Sequence, residues 1–128
     1  MVSRKALIIT GIVIVALIMV FLILRGNEDS WIKDSRGVWV KHGNPSQTPD
    51  YVAEQQQHIS CAQAKFSEFK EEFNSQCLGS CGNYSVDIVN VPRITADDLT
   101  ENQCPEYLNK ETNSFIELDK NGNIVRIV

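Results

Sequence analysis

Residues Ala6 to Leu24 read ALIITGIVIVALIMVFLIL, nineteen residues without a charge and with Thr10 as the only polar side chain. As an α-helix at about 1.5 Å per residue the stretch spans roughly 28 Å, close to the ~30 Å hydrocarbon thickness of a bilayer. Arg4 and Lys5 precede it and Arg25 follows. A secretory signal has an apolar core of about 7–15 residues and a small-x-small cleavage site. Here the core is longer and ends in Phe21-Leu22-Ile23-Leu24-Arg25, without such a site. The stretch therefore predicts a retained anchor over residues 1–25, with the lipid bilayer as its partner. The positive N-terminal flank predicts a cytoplasmic N-terminus and a C-terminal domain outside. Gly11 and Val15 do not make a small-xxx-small face, so the expected anchor faces lipid all round.

Beyond the anchor lie a short polar tether, residues 26–30, and about 100 residues, enough for one small domain over 31–128. All sixteen Asp and Glu follow Arg25, against nine Lys and Arg, so this part carries close to −7. Such a domain, without a basic stripe, does not suit nucleic acid or an anionic lipid surface. Its four cysteines, Cys61, Cys77, Cys81 and Cys104, are an even set in a small domain placed outside the cell, which predicts two disulfides.

Trp31-Ile32 and Val38-Trp39-Val40 flank Asp34-Ser35-Arg36-Gly37, a pattern that predicts a tight hairpin. Its two tryptophans suit either a membrane interface or packing on the core. After the loop Gly43–Pro49, Thr48 predicts an N-cap, Pro49 the first helical position and Asp50 the first turn. Val52, Ile59, Ala62, Phe66, Phe69, Phe73 and Cys77 then recur at helical period, with Lys65, Glu68, Lys70, Glu71 and Glu72 opposite. This predicts one long helix from Asp50 to Cys77 packed on a sheet, with Gln55 interrupting its stripe. Gly79 and Gly82 are expected to end it. Tyr84–Val91 reads as a strand closed by Pro92. Thr95-Ala96-Asp97-Asp98 predicts a capped short helix to about Asn102, with a further turn from Cys104-Pro105 through Leu108. Finally, Phe115–Asp119 and Asn123–Val128 flank Asn121-Gly122, the dipeptide that type I′ hairpins prefer. The expected fold is α+β: a single N-terminal transmembrane helix and a small disulfide-bonded domain. In that domain one long helix packs on β-hairpins or a short antiparallel sheet.

The long helix constrains cysteine pairing. Sixteen helical residues put Cys61 and Cys77 about 24 Å apart, whereas disulfide Cα atoms lie within about 7 Å. A Cys61–Cys81 bond would need four residues, reaching only about 14 Å, to recross that distance. The favoured pairing is thus Cys77–Cys81 with Cys61–Cys104. If the helix ends near Phe73, Cys61–Cys81 with Cys77–Cys104 becomes reachable.

No catalytic, cofactor or metal signature stands out. Cys77-x-x-x-Cys81 lacks the C-x-x-C spacing and βαβ context of thiol–disulfide enzymes, and the isolated Cys61 and Cys104 do not suit a zinc site. His42 and His58 are read as exposed polar residues. Asp119–Asn123 resembles a calcium loop only superficially, its glycine being one position early. Asn83-Tyr84-Ser85 is a glycosylation sequon. The expected function is an interaction or structural module of the cell envelope. A small extracytoplasmic thiol–disulfide or other enzyme, or an accessory subunit of a membrane complex, is the alternative.

Trp39-Val40-Lys41-His42-Gly43-Asn44-Pro45-Ser46 behind a membrane segment resembles a group of small membrane-anchored proteins predicted from archaeal and uncultivated bacterial genomes. No activity is attached to that group. The resemblance implies a prokaryotic cell-surface setting and transfers no functional residue.

Overall fold

The computed structural model describes residues 3–26, 29–69 and 76–128. It has the α+β layout expected from the sequence, in two compact units, Met1–Trp31 with Lys41–Gln47 and Ile32–Val40 with Thr48–Val128.

In the first unit, α1 (Arg4–Gly26) is apolar and exposed along its length. Its start is capped by Ser3, whose Oγ accepts a bond from Ala6 N (3.2 Å), and the Thr10 hydroxyl donates to Ala6 O (2.9 Å). The only side-chain hydroxyl within the apolar stretch is thus satisfied by its own helix, as a hydrocarbon environment requires. In the same unit the Trp31 indole N–H donates to Gln47 O (2.9 Å). The expected tether falls in part on Asn27 and Glu28, which lie outside the described residues.

Strands β1 (Ser30–Lys33) and β2 (Trp39–His42) form a two-stranded sheet around the expected turn. In that turn Gly37 N donates to Asp34 O (3.0 Å) and Asp34 N to Val38 O (2.9 Å), with Gly37 at φ 82°. This is a three-residue loop ending in a left-handed glycine.

The larger unit is built on a mixed sheet of order β3-β4-β5-β6. Its strands are β3 (Gln76–Cys81), β4 (Tyr84–Ile88), β5 (Ser114–Leu118) and β6 (Ile124–Ile127). The outer pairs are antiparallel, but β4 and β5 are parallel. A parallel pair needs a long crossover. Residues 89–113 supply it, with 3₁₀ turns at Thr95–Asp98 and Thr100–Asn102 and the short helix α3 (Pro105–Leu108). The expected N-cap at Thr95 shifts by one residue. Ile94 occupies that position, and its N–H bonds the Asp97 carboxylate (2.8 Å).

Helix α2 (Asp50–Glu68) packs on one face of this sheet. Ala62, Ile59 and Phe66 meet Val86, Ile116, Leu118 and Ile127. Each aliphatic side chain so buried contributes roughly 1.5–3 kcal/mol. Two expectations for the helix are corrected. Pro49, rather than Thr48, is the N-cap. At the other end, α2 stops at Glu68, Phe69 is extended, and Cys77 lies on β3. Pairing with β4 gives residues 76–81 a ladder interrupted only by a bulge at Leu78, and this tertiary gain overrides helix propensity. Phe73 and the charges at Lys70, Glu71 and Glu72 lie outside the described residues.

Gln55 completes the stripe that it was expected to interrupt. It is buried, its Oε1 accepts from Trp39 N (2.8 Å), and its Nε2 donates to Gly37 O (2.9 Å). Ile127 N donates to Arg36 O (2.7 Å). Residues 36–39 are thereby held by both α2 and β6.

Candidate functional site

The disulfides are Cys61–Cys81 and Cys77–Cys104, and no described cysteine is free. The favoured Cys77–Cys81 and Cys61–Cys104 pairing is therefore corrected to the alternative that depended on a shorter helix. Two features cause this. The end of α2 removes the 24 Å separation on which the favoured pairing rested. A β-bulge between Cys77 and Gly79 then changes the alternation of β3. Residues four apart on a regular strand share a face, but one extra residue puts them on opposite faces. Cys81 pairs with Tyr84 on the α2 side and reaches Cys61, whereas Cys77 pairs with Asp87 on the other side and reaches Cys104.

The remaining sequence candidates sit in ordinary surroundings. His42 is exposed. His58 is half-buried, with Nε2 3.6 Å from Glu54 and its ring 5.0 Å from Tyr84. Asp119 organises the β5–β6 turn, its Oδ1 accepting from Asn121 N (2.8 Å) and Asn123 N (2.9 Å). Burial works against ionisation there, but the bonds from Asn123 and Asn121 outweigh it and hold the carboxyl below its usual range. The turn has the hydrogen bonds of the Asp34–Val38 turn, with Gly122 at φ 81°, so it is a three-residue loop instead of a two-residue type I′ turn. Trp39 packs on Tyr51 of α2, ring centroids 4.8 Å apart. Asn83 is exposed at the β3–β4 turn, while Ser85 is buried against the Thr112 hydroxyl.

The chemically distinctive site was not singled out by the sequence. Opposite α2, the sheet presents a cross-strand row of Cys77, Asp87, Glu117 and Arg126. The crossover partly roofs this face, tied down by Cys77–Cys104, and leaves a half-open cavity of about 200 Å³. Its floor is Ser85, Asp87, Phe115, Glu117 and Arg126; Arg93, Asp97, Gln103 and Tyr107 come from the crossover. Glu117 is buried between two guanidiniums. Arg93 Nη1 donates to its Oε1 (2.6 Å), and Arg126 donates through Nε to Oε2 and through Nη2 to Oε1, both at 3.1 Å. Arg93 also reaches Asp98 (2.8 Å). Asp97, buried as well, accepts from Asn90 N and Nδ2 (both 3.0 Å) and from Ile94 N (2.8 Å).

Asp87 differs from its neighbours. Its Oδ1 has no accessible surface and no hydrogen-bond partner among the described residues. Burial, reinforced by the charges of Glu117 and Asp97 and only partly opposed by Arg93, pushes its carboxyl up to about 7. It is placed to hold or release a proton near neutrality, a property found often at functional sites. A signal was present in the sequence: Ser85, Asp87 and Glu117 hold alternate positions in otherwise apolar strands. Only the parallel register sets Asp87 beside Glu117.

Comparison with protein-family models, curated proteins and solved structures gives no significant match.

Proposed function

We propose that the chain is a single-pass membrane protein whose disulfide-bonded domain lies outside the cytoplasm and serves as an interaction module of the cell envelope. The observation that carries this reading is α1: an apolar segment, Arg4–Arg25, long enough to cross a bilayer and with none of its residues buried by protein. Exposing so many Leu, Ile and Val side chains to water is unfavourable at about 25 cal/mol per Å², and lipid removes that cost. The two disulfides support an oxidising compartment. They also favour a structural role over thiol exchange, because Cys81 and Cys104 are each only 2% exposed. A prokaryotic cell surface is the proposed setting.

Carbonate extraction and protease shaving of intact cells test the reading. The chain is expected to stay in the membrane pellet and to lose its domain to external protease. Release by carbonate overturns the anchor, and protection in intact cells with digestion after lysis overturns the orientation.

A further inference from the structure

We propose that the cavity between the sheet and its crossover binds a primary alkylammonium group, held by the Asp87 carboxylate. The hydrogen-bonding inventory points to this ligand class. Of the three carboxylates lining the cavity, Glu117 is neutralised by Arg93 and Arg126, and Asp97 is occupied on both oxygens by Asn90 and Ile94. Among the described residues Asp87 alone of the three accepts no hydrogen bond: its Oδ1 is buried without a partner, while the half-buried side chain lines the cavity. A cationic N–H donor supplies the missing bond and offsets the charge of an ionised Asp87. An anion meets two guanidiniums already committed to carboxylates and gains neither.

Size and lining narrow the ligand further. About 200 Å³ is below the range of drug-sized pockets and admits a short chain. Tyr107 and Phe115, edge to face at 5.7 Å, provide an apolar wall for its methylenes. The groups facing Asp87 are Glu117 from β5, Asp97 and Arg93 from the crossover, and Cys77 from β3, which is locked in its disulfide and does not titrate. Binding near or below neutrality therefore expels the Asp87 proton as the ammonium enters. The inference deepens the interaction reading and rests on it only for where the amine is met, as a free small amine or as a lysine side chain of a partner protein.

Calorimetric titration of the full chain in detergent micelles tests the proposal, with n-butylammonium chloride as the free-amine probe, N-acetyl-lysine methylamide as the lysine probe and sodium butyrate as the anionic control. Saturable butylammonium binding is expected at pH 8, roughly tenfold weaker at pH 6. At pH 6 the observed heat should vary with the ionisation enthalpy of the buffer, the mark of proton release. Asp87→Asn should lose tenfold or more while keeping both disulfides. Binding of the lysine probe as well assigns a partner's side chain; butylammonium alone assigns a free amine. No saturable binding, an unchanged Asp87→Asn, or butyrate binding as tightly as the amine overturns the proposal. If Asp87→Asn fails to fold, pH dependence and proton release in the parent chain decide. Micellar binding does not depend on orientation, so this result and the shaving result fail separately.

Discussion

Asp87 shows how one side chain couples the fold to pH. Its folded carboxyl titrates near 7, well above the ordinary 3.8. Between those values the folded chain keeps a proton that the unfolded chain has lost, so stability falls as pH rises through this window and levels off above it. After allowance for solvent screening the loss is of order 2 kcal/mol. Urea unfolding at pH 5 and pH 8 checks the sign, and Asp87→Asn should flatten the difference. Gln55 acts oppositely, as a buried polar group with both ends satisfied. Gln55→Ala strands Trp39 N–H and Gly37 C=O and should cost about 1–3 kcal/mol. An apolar replacement that merely extended the stripe would not recover this. Neither role was legible in the sequence. Periodicity marks Gln55 as a break in an apolar stripe, and alternation marks Asp87 as a solvent-facing strand residue. The partners of Gln55 lie 16 and 18 positions away, and Glu117, which sits beside Asp87, lies 30 positions away, which no local pattern encodes.

At the scale of elements, the positions of the turns were legible, though the β5–β6 loop is one residue longer than the expected type I′ turn, and the helix end was not. Asp34-x-x-Gly37 and Asp119-x-x-Gly122 fold alike because each aspartate caps its own loop while glycine takes the left-handed corner. These are local interactions, and local chemistry predicts them. Gly37 is also hemmed in: an added Cβ would collide with Ile127 O. Gly37→Ala should destabilise by about 1–3 kcal/mol, visible as a lower urea midpoint at unchanged slope. The extent of α2 depends instead on competition. Residues near Cys77 suit a helix by composition, but the ladder with β4 and the bulge at Leu78 win. That one boundary decides the disulfides. Non-reducing peptide mapping should recover Cys61–Cys81 and Cys77–Cys104. Their loops, with separations of 20 and 27 residues, each stabilise by about 3–4 kcal/mol in the chain-entropy model. Removing either pair by Cys→Ser should lower stability by that order.

For the molecule as a whole, the apolar segment and the α+β class followed directly from hydrophobic patterning. The parallel β4–β5 pair did not, because a 25-residue crossover resembles a string of loops until its register is known. That crossover converts a polar sheet face into a cavity floor, and the second disulfide holds it in place. The two bonds also set a mechanical route. Tension applied across the domain enters at Cys61, passes through sulfur to Cys81, returns along β3 to Cys77 and leaves through Cys104. Between Cys61 and Cys104 only the few residues from Cys77 to Cys81 carry load, and about 39 residues of contour, roughly 130–140 Å when extended, stay hidden. Of the pocket residues, Ser85, Asp87, Arg93, Asp97 and Gln103 fall within the shielded length, whereas Tyr107, Phe115, Glu117 and Arg126 lie beyond Cys104. In single-molecule pulling the oxidised chain should come up short by that distance, and a reductant should release it. A protein tethered to a membrane and pulled from outside would thus keep Asp87 and its neighbours on β4 and the first part of the crossover off the line of force.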